Sequence, residues 1–179
     1  MLTLNQCKAA KRLRLLSNNL LVSNFASAPV HPVFEIEQVQ KDRSIILHPK
    51  KEHKYSLIWL HGLGDSAYGF ADIFIDDSLR FTPDNVKVTL LTAPERAVTL
   101  NGGMVMNSWY DILSLRGAAK TMEELYDKYS RKELLESVEI VSKVIDAEVN
   151  KLSGKYQNVW VGGFSQGCAL SLATMIMYP

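Results

Sequence analysis

One serine in this chain has the neighbours that a nucleophile needs. Ser165 is the centre of Gly163-Phe164-Ser165-Gln166-Gly167, a G-x-S-x-G pattern. A strand that turns sharply into a helix places its apex residue at positive φ, and side chains two positions away collide with the turn. Glycine at both flanks removes that collision. The apex hydroxyl then projects above the sheet, and the N–H groups that open the helix point at the same space, where they favour an oxyanion. The chemistry available to such a serine is acyl transfer through a covalent ester. Val159-Trp160-Val161 before the motif reads as a strand, and Cys168 to Tyr178 after it reads as a helix, which is the setting the motif requires.

A second element follows another apolar run. His61-Gly62-Leu63-Gly64-Asp65 closes the stretch Tyr55 to Leu60, and a glycine-bearing loop there can supply a second oxyanion N–H. The plain alternative is a strand-ending turn, with His61 as a hydrogen-bonded structural side chain. A serine also needs a base, and residues 166–179 contain neither Asp nor His. The four histidines, His31, His48, His53 and His61, show no metal-ligand spacing, so no metal site is expected. Cys7 and Cys168 make no disulfide framework, and Cys168 reads as a small buried hydrophobe at the start of a helix.

The elements that would position these residues alternate. Ser44 to His48, Tyr55 to Leu60, Val86 to Leu91 and Val159 to Val161 read as strands; the continuous apolar runs suit a sheet covered on both faces. Ala67 to Leu79 reads as a short helix. Residues 95–117 show no clean period and read as a long loop, which in a compact domain is more often functional than accidental. Residues 121–152 turn helical, with a break near Ser130. There Leu134, Val138, Val141, Ile145, Val149 and Leu152 form one apolar stripe, opposite a solvated face of Glu136, Glu139, Lys143 and Asp146, with Gly154 as C-cap. Strands alternating with helices imply βαβ units, hence an α/β, mostly parallel sheet with helices on both faces. Ligands of such sheets bind at the carboxyl ends of the strands, where both motifs lie.

Composition narrows the function classes. The 179 residues carry 47% hydrophobic and 22% charged residues, the balance of a globular domain with a real core. A net charge of +1 gives no electrostatic case for nucleic acid as a partner. No stretch is long and apolar enough to be a transmembrane segment. The charge is unevenly placed, because Lys8, Lys11, Arg12 and Arg14 precede the first acid, Glu35. Residues 1–32 therefore read as a basic leader with transit-peptide composition, pointing to a mitochondrion or another organelle. The alternatives are a secretory signal ending near Ala26-Ser27-Ala28, or an N-terminus that targets nothing and leaves the chain cytoplasmic.

Three blocks carry a family resemblance: Leu57 to Asp65 (LIWLHGLGD), Thr92 to Ile112 (TAPERAVTLNGGMVMNSWYDI) and Val161 to Leu172 (VGGFSQGCALSL). In order and spacing they resemble the acyl-protein thioesterase / small carboxylesterase–lysophospholipase family of α/β-hydrolases, over roughly residues 45–179. The resemblance implies an α/β-hydrolase-like domain spanning 33–179 that is partial, incomplete at the C-terminus. It implies Ser165 as nucleophile, the backbone N–H groups of Leu63 and Gln166 as the oxyanion hole, and Gly64, Met104, Met106 and Trp109 on loops lining an acyl-chain channel. Its substrates would be S-acylated proteins, lysophospholipids or small acyl esters, hydrolysed without metal or cofactor. Cys168 departs from the glycine usual in the family, and Leu115 to Arg131 is longer and more charged than the family pattern. The family's triad Asp and His follow the nucleophile, so they are expected beyond Pro179. The alternative is a non-catalytic pseudoenzyme, or a structural subunit of an organellar complex. In that fold the serine-bearing strand is central, and an apolar edge left open on it invites homo- or hetero-association.

Overall fold

The computed structural model describes residues 31–115, 117, 121, 123–124 and 128–179. The leader expected over residues 1–32 lies outside them except for His31 and Pro32, as does part of the charged stretch Leu115 to Arg131. Everything that positions the serine belongs to the compact unit Val33–Pro179.

In chain order the elements are β1 (Phe34–Gln38), β2 (Ile45–Pro49), β3 (Tyr55–Leu60), α1 (Tyr68–Ile75), β4 (Val86–Leu91), β5 (Glu95–Val98), β6 (Met104–Asn107), α2 (Arg131–Lys151), β7 (Val159–Gly163) and α3 (Gln166–Met177). Five strands form one mixed sheet in the order β1-β2-β4-β3-β7. The pairs β1–β2 and β2–β4 are antiparallel, while β4–β3 and β3–β7 are parallel. The parallel half carries both motifs, and β1, an alternating strand that the apolar runs do not reveal, extends the other edge.

Side-chain alternation on β3 and β4 divides the core in two. Ile58 and Leu60 face one side, where α2 and α3 contribute Val138, Val141, Ile145, Val149 and Leu170. Val86, Val88 and Leu90 face the other, with Ala71 and Phe74 of α1. Each such buried side chain contributes about 1.5–3 kcal/mol by leaving water, so helices on both faces follow from apolar residues that point to both sides of the parallel strands.

Helix ends are set by local chemistry. Ser130 caps α2 through its side chain, accepting from the Glu133 N–H at 3.4 Å. Glu133 does not close a capping box; its carboxylate instead accepts from the Asp111 N–H at 2.6 Å and pairs with Arg96 at 3.3 Å. At the other end Gly154 N–H reaches the Val149 carbonyl at 2.9 Å and Ser153 N–H reaches Asn150 at 3.2 Å. This is a Schellman arrangement, with Ser153 at φ 57° as its left-handed residue and Gly154 next in line. Helix α1 stops at Ile75, short of Leu79, because the Asp76 carboxylate accepts from the Ser78 N–H at 2.8 Å and turns the chain.

Residues 95–117 hold more order than their lack of period suggests. Strands β5 and β6 form an antiparallel hairpin from Glu95↔Asn107 to Val98↔Met104. It turns through Thr99–Asn101 and two glycines, Gly102 and Gly103, at φ 67° and 81°. Met104 and Val105 are exposed and Val98 alone among the strand residues is buried, so burial writes no alternation into the sequence here.

At the amino ends of β3 and β4, away from the serine, a polar cluster crosses the core. Glu148 of α2 accepts from Lys87 Nζ at 2.5 Å, Ser56 Oγ at 2.8 Å and Lys151 Nζ at 3.0 Å. His53 lies against the same Ser56 hydroxyl at 2.8 Å.

Candidate active site

Ser165 follows β7 and precedes α3 with φ 52° and ψ −117°, and its side chain is exposed. That is the strained apex the motif predicts. The two glycines are demanded by backbone, not by side chains. A Cβ on Gly163 would lie 2.6 Å from the Gly167 carbonyl carbon and 2.7 Å from the Leu60 carbonyl oxygen. One on Gly167 would fall on the Leu60 carbonyl and 2.6 Å from the His61 carbonyl oxygen. The turn is pinned by Phe164 N–H to Leu60 O at 3.0 Å and Gly167 N–H to Phe164 O at 2.9 Å. Helix α3 therefore starts at Gln166, directly behind the serine.

The loop after β3 comes to the same place because β3 and β7 are parallel neighbours, with Leu60 opposite Gly163. A Cβ on Gly62 would sit 3.4 Å from Ser165 Cβ and 3.2 Å from the Phe164 ring. Leu63 follows in that loop, partly buried against the core. Among the described residues no intramolecular acceptor is found for the backbone N–H of Leu63 or of Gln166. Two free donors from adjacent strand ends, next to an exposed serine, are what an oxyanion hole consists of.

His61 is buried and has both ring nitrogens committed. Nδ1–H donates to the Gly62 carbonyl at 2.6 Å, and Nε2 accepts from the Ala93 N–H at 2.9 Å. The ring is therefore the neutral Nδ1–H tautomer, and burial holds its pKa below the ordinary histidine value. It can hold the loop, but it has no lone pair to take a proton from Ser165. His48 pairs with Glu37 at 2.8 Å and His53 belongs to the Glu148 cluster, both on elements remote from the serine.

The channel residues expected from the resemblance are placed unequally. Gly64, at φ 75°, donates its N–H to the Asn107 carbonyl at 2.9 Å, and its Cβ position lies 3.5 Å from Met106 Sδ. Asn107 returns a bond from Nδ2 to the Asp65 carbonyl at 2.7 Å, so β6 is fastened along the loop that bears Leu63. Met106 is half-buried there, and Met104 is exposed at the start of the same strand. Trp109 stands apart: it is fully buried, and its indole N–H donates to the His61 carbonyl at 2.9 Å. Its surface touches core and loop, not an open cleft.

Cys168 requires a correction. The residue type predicts a small buried hydrophobe, whereas Cys168 is exposed. One turn after Ser165, it lies among the exposed residues of α3, which also include Leu172, Met175 and Ile176. The helix rests on the sheet through Gly167, Leu170, Ser171 and Thr174 instead.

Several supporting residues give no individual signal in the sequence. Ser108, Tyr110, Asn107 and Ser137 act through backbone and side-chain bonds made only after folding. The one signal for them is that three lie in the Thr92 to Ile112 block, which carries part of the family resemblance.

Comparison with known proteins agrees with this geometry. Residues 41–179 match the family model described as phospholipase/carboxylesterase. Acyl-protein thioesterase 1 of Mycosarcoma maydis is 36% identical over 146 residues, which cover 76% of this chain and 58% of that protein. A protein of Oryza sativa subsp. japonica named as a "probable inactive carboxylesterase" is 37% identical, covering 69% of this chain and 47% of its own length. The crystal structure of Arabidopsis thaliana SOBER1 superposes with a TM-score of 0.57 at 34% identity, covering 70% of this chain and 56% of that one. The chain thus spans about half the length of the curated relatives it matches. With its serine elbow, its glycine loop and its sheet order all in one register, the chain belongs to the phospholipase/carboxylesterase family.

Proposed function

We propose that this chain carries the nucleophile half of a serine hydrolase that cleaves thioester or ester bonds of acylated substrates. S-acylated proteins are the substrates named for the acyl-protein thioesterase relatives, and lysophospholipids or small acyl esters present the same carbonyl chemistry. The observation that carries the reading is the exposed Ser165 at φ 52°, with Gly62 so close that a Cβ on it would lie 3.4 Å from the Ser165 Cβ, and with no intramolecular acceptor among the described residues for the N–H groups of Leu63 and Gln166. Ser165 Oγ attacks the acyl carbon, the two N–H groups receive the charge on its oxygen, the thiol or alcohol leaves, and water releases the acid. The Oγ proton needs an acceptor. No histidine of Val33–Pro179 is free to be one at this site, so in this reading the base and its orienting acid come from outside those residues.

The test is labelling of the full chain by a fluorophosphonate, with and without added imidazole as an external base. Labelling at Ser165 that rises with imidazole supports the reading; a chain unlabelled in both conditions overturns it. A second, non-catalytic reading is favoured by the rice relative named as inactive. That reading predicts no labelling under any condition. Import into a mitochondrion or another organelle is part of the proposal, supported by the acid-free basic leader. A fluorescent protein fused after residues 1–32 that stays cytoplasmic would remove that part.

A further inference from the structure

Gln166 does more at this site than offer a backbone N–H. Its side chain is buried, and the carboxamide is fully used by one short segment. Oε1 accepts from the Trp109 N–H at 3.0 Å; Nε2 donates to the Tyr110 carbonyl at 2.7 Å and to Ser108 Oγ at 3.1 Å. Ser137 on α2 donates its hydroxyl to the Trp109 carbonyl from behind. From this fastened segment the Trp109 indole N–H reaches the His61 carbonyl at 2.9 Å, and its ring lies 5.2 Å from the His61 imidazole. His61 in turn bonds Gly62, the residue packed against Ser165. The chain of contacts closes on itself: it leaves the elbow through the Gln166 side chain and returns to it through the glycine loop.

Packing alone does not require these groups. A leucine or methionine would fill the Gln166 site without burying a carboxamide, and a phenylalanine would fill most of the Trp109 site without an N–H to satisfy. We infer that Gln166 and Trp109 are positioning residues for the oxyanion loop. The Gln166 carboxamide sets the Ser108–Tyr110 segment, and the Trp109 indole sets the His61 carbonyl, so that the loop bearing Leu63 keeps its place beside Ser165. The inference rests on the nucleophile reading for its catalytic meaning, whereas the placement of the loop is measurable without it.

The experiment uses the full chain with Trp109→Phe, which removes the indole N–H together with part of the ring, and with Gln166→Met and Gln166→Glu. Three quantities are read: the fluorophosphonate rate at Ser165 with imidazole present, hydrogen exchange of residues 61–65, and alkylation of exposed Cys168 by iodoacetamide. Trp109→Phe and Gln166→Met are expected to slow phosphonylation by about tenfold or more, because a displaced oxyanion donor is nearly a lost one. Exchange in 61–65 should quicken while Cys168 alkylation stays at the wild-type rate. Gln166→Glu, which keeps the acceptor for Trp109, should recover part of the rate lost in Gln166→Met. Wild-type phosphonylation and exchange in both Trp109→Phe and Gln166→Met would overturn the inference, as would a loss matched by an equal change at Cys168. If the wild-type chain itself is not labelled, the nucleophile reading falls, and the exchange measurement alone decides the positioning.

Discussion

At φ 52° Ser165 occupies a conformation that costs a non-glycine residue roughly 1–3 kcal/mol, held in place by the surrounding turn. Replacing it with glycine should therefore stabilise the fold by about 1 kcal/mol while abolishing any covalent labelling. Urea unfolding of Ser165→Gly beside Ser165→Ala measures this, and equal midpoints for the two would show that the turn is not strained. The glycines obey the opposite logic. A methyl group at Gly163 meets the carbonyls of Gly167 and Leu60, and one at Gly167 those of Leu60 and His61, which cannot rotate away as a side chain would. Gly163→Ala is expected to cost about 2 kcal/mol or more, read as a lower urea midpoint with an unchanged slope. The protonation of His61 belongs to this scale as well. Burial holds its pKa below the ordinary value, so the unfolded chain takes up that proton first. Stability from this group is complete above the ordinary histidine value and is lost as pH falls toward the lowered native one.

Helix α2 shows how one element serves two ends of the sheet. Its carboxyl end carries Glu148 into the core beside Lys87. Burial pushes the Glu148 carboxyl up, but hydrogen bonds from Lys87, Ser56 and Lys151 outweigh it and hold the pKa below the usual value. Burial dominates at Lys87, whose pKa is lowered. Glu148→Ala leaves the Lys87 ammonium buried without its partner and should cost about 3–5 kcal/mol. The double change Lys87→Met with Glu148→Leu should recover most of that loss, and a double variant no more stable than Glu148→Ala would show that the cluster does more than neutralise a charge. Glu148 shares the sign of His61: its stability is present above the ordinary carboxylate range and is lost as pH falls through its depressed native value. At the helix end, Ser153 holds the left-handed position that glycine takes at lower cost. Ser153→Gly should raise stability by about 0.5–1 kcal/mol, seen as a melting temperature a few degrees higher.

On the scale of the molecule, the parallel half of the sheet ends at β7, which pairs only with β3 among the described residues. Beside its free edge runs a groove of about 350 Å³, lined by Ile145, Val159, Trp160, Leu172 and Met175. Met175 is 70% exposed and Ile176 80%, an apolar surface that monomeric proteins seldom leave uncovered. The chain on its own is expected to self-associate through this edge and face. Analytical ultracentrifugation of wild type beside Met175→Lys/Ile176→Lys measures it. A wild-type monomer at micromolar concentration would contradict the expectation.

The parts of this fold legible in the sequence are those in which burial repeats with the period of the element. The bounds of β3 and β4 and the α2 stripe followed from short runs rich in apolar and β-branched residues and from a 3.6-residue period, because both register contact with a core. The elbow was legible for a different reason: a positive-φ apex between backbone-crowded flanks admits few residues, so G-x-S-x-G encodes the geometry almost directly. The hairpin of β5 and β6 left no such trace, since Val98 alone among its strand residues is buried. Cys168 misled because residue type alone does not say which face of a helix finds a sheet. Only the tertiary structure decided how Gln166, Trp109 and His61 act together. Their bonds join positions 61, 109 and 166, and no local spacing specifies partners that far apart until parallel pairing of β3 with β7 sets them side by side.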